Sequence, residues 1–73
     1  MKVYNFTVII QKDEDENFLA ISPSLQGCYT DGETLEEALE MIEDAIKLHI
    51  EDRMENGEPI PEEIYSSQLK IAV

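Results

Sequence analysis

The sequence predicts an α+β fold of the order β-β-β-α-β, a four-stranded sheet with one long helix packed on one face. Residues 1–12 are rich in β-branched and aromatic residues, and apolar residues alternate over residues 68–73. Over residues 35–50 apolar residues recur at steps of three and four, which is the spacing of a helix. With 73 residues the chain has room for one domain, so residues 1–73 are expected to form a single unit. A domain this small buries only about 60% of its unfolded surface, so self-association or a partner should supplement its core.

The first two strands are expected to form a hairpin. Residues 1–12 have large apolar side chains on one face, at Tyr4, Phe6, Val8 and Ile10. Residues 13–16 are all acidic and cannot be buried without partners, so they predict the tip of the hairpin. Strand character then resumes over residues 17–22.

A bend, a short third strand and a last strand complete the predicted sheet. Pro23 should end the second strand, Gly27 permits a bend, and residues 28–30 form the third strand. The last strand is expected over residues 68–73. If it lies parallel beside the first strand, the helix crosses one sheet face and leaves the other uncovered. That face or an open edge is where a second copy or a partner would bind.

A long helix is expected from residue 35 to about residue 55. Thr34 and Glu37 have the spacing of a capping box, and Asn56-Gly57 marks the end of the helix. Its buried face is predicted from residues at helical spacing, namely Leu35, Ala38, Leu39, Ile42, Ala45, Ile46 and either His49 or Ile50. At 1.5 Å per residue this helix would be roughly 30 Å long and would span the domain.

The chain is strongly acidic, with 17 Asp and Glu against 5 Lys and Arg and a formal net charge of −12. Such a surface should repel nucleic acid and attract a basic protein. The outer helix face contains the candidate partner-binding residues, which are Glu36, Glu40, Glu43, Asp44 and Glu51. Like charges at helical spacing cost about 0.2–0.5 kcal/mol per pair, and a basic partner would relieve this cost. Simple solvation is the more common role of such a face.

No catalytic residues, metal ligands or cofactor motif are predicted. His49 is the only histidine and is expected to be a half-buried packing residue beside the apolar stripe. Cys28 lacks a second thiol or a nearby base, so it is expected in the core. Asp13 and Asp15 match ligand positions of an EF-hand loop, but Phe18 stands where glycine is required. Weak cation association is the most that this tip would support.

The expected location is the cytoplasm. The longest apolar run, residues 8–10, is too short to cross a bilayer, and no signal peptide is recognisable. A single cysteine in such a chain is typical of a reducing compartment.

Three segments show the pattern of a known family: residues 18–28 (FLAISPSLQGC), residues 32–38 (GETLEEA) and the connector at residues 57–61 (GEPIP). Together they resemble the N-terminal domain of the HicB antitoxin family over nearly the whole chain. The resemblance implies a partial ribonuclease H-like fold, assembly into a dimer or tetramer, and a type II toxin-antitoxin role. The implied partner is a small basic ribonuclease toxin of the HicA type, neutralised by occlusion.

Two differences from the family pattern affect this interpretation. Many family members continue into a DNA-binding segment, whereas this sequence stops at Val73, so direct binding of nucleic acid is not expected. Gln26 stands where a proline is frequent, which should loosen the bend.

Ribonuclease H enzymes hold metal through carboxylates of the first strand, and residues 4–10 have none. Catalysis is therefore not expected to accompany the fold.

Two other functions stay open. The chain could be an orphan regulatory or adaptor domain that self-associates and has no toxin partner. A residual metal-dependent nuclease using Asp13 or Asp15 is the more remote alternative.

Overall fold

The computed structural model describes residues 2–73 and has three antiparallel strands followed by one long helix. The strands are β1 (Ile9–Lys12), β2 (Phe18–Ile21) and β3 (Tyr29–Gly32), and the helix is α1 (Leu35–Glu55). The sheet order is β1-β2-β3, with Ala20 of β2 paired to Ile10 on one side and to Thr30 on the other. The predicted α+β class, the hairpin and the helix are confirmed.

The first strand is shorter than the prediction of residues 1–12. Ile9 pairs with Ile21, so the same register would place Thr7 opposite Pro23, which has no N–H to donate. The ladder therefore stops at Ile9, and residues 2–8 continue beyond it without belonging to a strand. Residue 1, at the start of the predicted strand, lies outside the described residues.

The hairpin tip is a turn built on the Asp13 carboxylate. Its Oδ1 accepts hydrogen bonds from the backbone N–H groups of Asp15 and Asn17, each at 2.9 Å. The backbone of Glu16 lies in the left-handed region, with a φ of 64°. Side chains of Asp type stabilise turns in this way by bonding to the backbone two residues on. The tip is therefore explained as a structural turn.

Helix α1 begins and ends where the capping residues predict. Thr34 has an extended backbone, and its hydroxyl accepts a hydrogen bond from the Glu37 N–H at 3.1 Å. At the other end Gly57 has φ of 67°, and its N–H donates to the Met54 carbonyl at 3.2 Å. These contacts satisfy backbone groups that would otherwise be unpaired at both ends.

The core lies between α1 and the inner sheet face, and its fully buried apolar residues are Ala20, Leu25, Cys28, Ala38 and Ile42. Phe6, Val8 and Ile10, three of the four residues predicted to share one face of the first strand, pack against this cluster, whereas Tyr4 is not among the residues packed on it. Helix α1 packs against β2 and β3. The core position predicted for Cys28 is also confirmed.

Gly32 is the point of closest approach between β3 and the start of α1. A Cβ built there would lie 2.6 Å from the backbone nitrogen of Ala38. We expect Gly32→Ala to lower the free energy of unfolding by about 1–3 kcal/mol, because the helix backbone must shift to admit the methyl group. Urea denaturation followed by circular dichroism measures this, with the exposed neighbour Glu33→Ala as the control. An unchanged midpoint for Gly32→Ala would contradict the observed packing.

The predicted four-stranded sheet is not confirmed, because the sheet of the described residues has three strands. Residues 68–73, where the last strand was expected, belong to no strand, and Leu69 and Ile71 are 81% and 72% exposed. β1 is therefore an edge strand of this sheet. The chain after the helix still returns toward the N-terminal residues, since the Glu62 carboxylate lies 3.3 Å from the Lys2 ammonium group.

Candidate partner-binding surfaces

The outer face of α1 is a continuous acidic surface. The candidate residues Glu36, Glu40, Glu43, Asp44 and Glu51 are all exposed. Since an α-helix has 3.6 residues per turn, they fall within an arc of about 100°. That arc is opposite the buried residues Ala38 and Ile42. The structure thus brings the five predicted residues together on one surface, which we call the acidic helix face.

The charge of the acidic helix face is only slightly compensated. Lys47 lies within it and pairs with Glu43 at 3.7 Å, with both side chains about two-thirds exposed (64% and 68%). An exposed pair of this kind contributes little to stability, typically about 0–1 kcal/mol. Leu39 and Met41, each a little over 40% exposed (42% and 43%), flank the face on its two sides. The surface therefore combines negative charge with an apolar margin.

The sheet face away from the helix is a second exposed surface. Ile9, Ile21 and Tyr29 stand side by side on the three strands, because Ile9 pairs with Ile21 and Ile21 with Tyr29. Tyr29 is 64% exposed and Ile9 is 42% exposed. The sequence predicted an uncovered sheet face, and this row is the apolar part of it.

Cys28, His49 and Asp13 are the residues that the sequence analysis considered for chemistry, and the structure describes the surroundings of each. Cys28 is only 2% exposed, and burial raises the pKa of its thiol, which disfavours the reactive thiolate. His49 is half-buried, as predicted for a packing residue beside the apolar stripe of α1. Asp13 directs its carboxylate to its own turn.

Glu63 forms a contact that sequence reasoning missed. Its carboxylate accepts hydrogen bonds from the Thr7 N–H at 2.7 Å, from the Thr7 hydroxyl and from the Ser24 hydroxyl at 2.8 Å. These donors lie in the first strand region and in the loop after β2. We call this arrangement the Glu63 clamp, because it attaches the segment after the helix to the sheet edge. No pattern in the sequence marks Glu63, since its partners are 39 and 56 residues away.

The Glu63 clamp should depend on pH. Hydrogen bonds from the Thr7 hydroxyl, the Thr7 N–H and the Ser24 hydroxyl outweigh desolvation and lower the pKa of the Glu63 carboxyl. A lowered pKa in the folded state means that the clamp is intact above the ordinary value of about 4.3 and weakens as pH falls below it. We expect the Thr7 amide resonance in NMR spectra to titrate with a midpoint below pH of about 4.3. A Thr7 amide that does not respond to acid would contradict the clamp.

Glu63→Gln should remove that titration and lower the free energy of unfolding by about 1–2 kcal/mol, since an amide cannot accept all three hydrogen bonds. Glu62→Gln is the matched control. Its ion pair with Lys2 is exposed, so we expect a change within about 1 kcal/mol and no effect on Thr7.

Among residues 2–73, no helix is both long enough and apolar enough to cross a membrane. The fold and its surfaces define a class, namely a small α+β domain with a buried thiol, an acidic helix face and open apolar sheet surfaces.

The comparisons with known proteins identify the family. The family model of the HicB-like antitoxin of bacterial toxin-antitoxin systems matches residues 6–71. The chain therefore belongs to the HicB-like antitoxin family, as the resemblance predicted.

Curated relatives agree with this assignment. A UPF0150 protein of Synechocystis is 40% identical over 62 residues, which are 85% of this chain and 78% of the relative. A UPF0150 protein of Thermoplasma acidophilum is 46% identical over 56 residues, or 77% of this chain and 81% of the relative. One from Archaeoglobus fulgidus is 40% identical over 55 residues, covering 73% and 80%. No solved structure matches significantly.

Proposed function

We propose that this chain acts as the antitoxin of a type II toxin-antitoxin system and occludes a small basic ribonuclease toxin of the HicA type. The observation that supports this most strongly is the family match over residues 6–71. An antitoxin needs a binding surface and no catalytic group of its own, and the buried, high-pKa thiol of Cys28 fits such a non-enzymatic role.

We propose the acidic helix face as the toxin-binding surface. A field of one sign over an exposed surface steers a partner of opposite charge and raises its association rate. The net charge of −12 makes a basic protein the favoured partner and disfavours direct binding of nucleic acid. The apolar margin at Leu39 and Met41 would add desolvated contact area beside the charges.

The salt dependence of binding tests this electrostatic proposal. The chain, immobilised through an added tag, is incubated with a small basic ribonuclease toxin of the HicA type, at low and at high salt. We expect retention at low salt and release as salt rises, because the Debye length falls from about 10 Å at 0.1 M to about 3 Å at 1 M. Retention that is equal at both salt concentrations would rule out the acidic helix face as the main contact.

We also propose that the chain works in the cytoplasm as a homo-oligomer and that its complete sheet has the partial ribonuclease H-like form. The exposed Ile9 and Tyr29 of the uncovered sheet face and the open edge of β1 support self-association. These same features favour the second candidate function, an orphan adaptor domain that only self-associates. A short reading frame for a basic, histidine-containing protein next to this gene would favour the antitoxin.

A further inference from the structure

The acidic residues are distributed unevenly along the chain. All 17 lie between residues 13 and 63, so residues 2–12 and 64–73 contain none. Three of the five basic residues, Lys2, Lys12 and Lys70, lie in these two stretches. Two copies with a net charge of −12 each repel one another, and like charges opposed across an interface cost several kcal/mol. Residues 17–30 are also free of acids, but they contain no basic residue either. Charge therefore favours an approach through residues 2–12 and 64–73, which lack acids and contain lysines.

The second of these stretches, residues 64–73, has the pattern of a strand without a strand neighbour. Among the described residues no ladder includes it, and Ile64, Leu69 and Ile71 are 98%, 81% and 72% exposed. Leu69, Ile71 and Val73 alternate with Lys70 and Ala72, which is the period of a strand with one apolar face. A segment with this pattern and exposed apolar side chains is suited to pairing with an open sheet edge.

An open groove separates residues 65–68 from residues 7–10, which lead into the free edge of β1. The chain passes from the Lys2–Glu62 contact to the Glu63 clamp at Thr7, and then residues 65–68 face residues 7–10 across a space of about 810 Å³. The two stretches therefore run in the same direction. The groove is bounded on one side by residues 7–10 at the start of the free β1 edge and on the other by a segment that belongs to no strand.

We propose that residues 64–73 of a second copy fill this groove, reciprocally in both copies. A two-fold axis then reverses the direction of the incoming segment, which lies antiparallel to β1 on one side and antiparallel to its own counterpart on the other. The strand order across the pair is β1, partner segment, own segment, partner β1. All three new contacts are antiparallel, the two outer contacts are equivalent by the two-fold axis, and no acidic residue lies within the paired stretches.

This interface places the expected fourth strand in the sheet of the partner copy. By adding a strand to a sheet edge, it pairs the free edge of β1 and gives residues 64–73 a strand neighbour on each side. The inference rests on the self-association proposed above, and the experiments below can reject this interface while leaving self-association intact.

The test is the mass in solution of the full chain, measured by light scattering after size-exclusion chromatography. We expect a dimer for the unmodified chain and at least tenfold weaker dimerisation for Leu69→Asp and Ile71→Asp, because each places a carboxylate in the paired sheet. Leu48→Asp is the control, since Leu48 is a similarly exposed apolar residue (66%) on the helix. Tyr29→Asp tests the competing sheet face.

Each outcome decides between interfaces. Dimers that persist in both segment variants but are lost in Tyr29→Asp would overturn the proposal and assign association to the sheet face. A monomeric unmodified chain would overturn both this interface and the proposed self-association. Circular dichroism of each variant establishes that it is folded.

Amide hydrogen exchange of the unmodified chain provides a test that needs no variant. Strand pairing between copies predicts that the edge-facing amides in residues 7–12 and the amides in residues 64–73 become more protected as protein concentration rises. Protection of residues 64–73 that is the same at all concentrations would indicate pairing within one chain and would overturn the proposal. Exchange in these residues that stays fast at every concentration would overturn it as well.

Discussion

Reversing three charges of the acidic helix face should weaken toxin binding about a hundredfold, mainly through a slower association rate. Such steering changes on-rates by roughly 10–10³-fold. The variant combines Glu36→Lys, Glu40→Lys and Asp44→Lys, all exposed, on successive turns of α1 and directed away from the core. A hundredfold loss corresponds to about 2.7 kcal/mol. Surface plasmon resonance against the basic partner measures both rates.

The control variant has the same net charge as the helix variant, but its three charge reversals lie elsewhere on the surface. Glu14→Lys, Asp15→Lys and Glu16→Lys change three exposed acids of the hairpin tip. Each reversal changes the charge by two, so both triple variants have a net charge of −6 instead of −12. If the tip variant loses as much affinity as the helix variant, binding depends on total charge, and the helix face is not the specific site.

Ile42→Ala should destabilise the domain by about 2–5 kcal/mol and unfold a large part of the population at 37 °C. Ile42 is only 1% exposed and belongs to the core that joins α1 to the sheet. At about 0.05–0.15 kcal/mol per residue, a domain of 73 residues has a total stability of roughly 4–11 kcal/mol. One truncated core side chain can therefore remove most of it.

Thermal denaturation followed by circular dichroism measures this loss. Leu48→Ala is the matched control, because it makes the same truncation on the same helix at a side chain that is 66% exposed. We expect it to change stability by less than about 0.5 kcal/mol. Equal losses in the two variants would mean that Ile42 does not anchor the helix to the sheet.

The elements that the sequence predicted correctly are those governed by local chemistry. Thr34 and Gly57 specify the ends of α1 through caps formed within a few residues. The apolar spacing correctly placed Ala38 and Ile42 in the core, but Leu35 and Leu39, expected on the same buried face, are 44% and 42% exposed because they lie at its margin. The hairpin followed from the run of acids at residues 13–16. The acidic helix face was also predictable, because helical spacing alone places its residues together.

The elements that the sequence did not predict depend on contacts between distant parts of the chain. The first strand is shorter than expected because strand register sets Pro23 opposite Thr7, and register is a tertiary property. The Glu63 clamp joins residues 56 positions apart. The expected last strand does not join the sheet of its own chain, and periodicity alone does not specify which edge a strand will pair with.

The most direct test of the central claim is the ribonuclease activity of a small basic toxin of the HicA type, titrated with this chain. If the chain is its antitoxin, RNA cleavage should fall in proportion to the amount added and should cease once the complex is stoichiometric. The Glu36, Glu40 and Asp44 reversal variant should require a large excess for the same inhibition. Full ribonuclease activity in the presence of excess folded chain would contradict the antitoxin role.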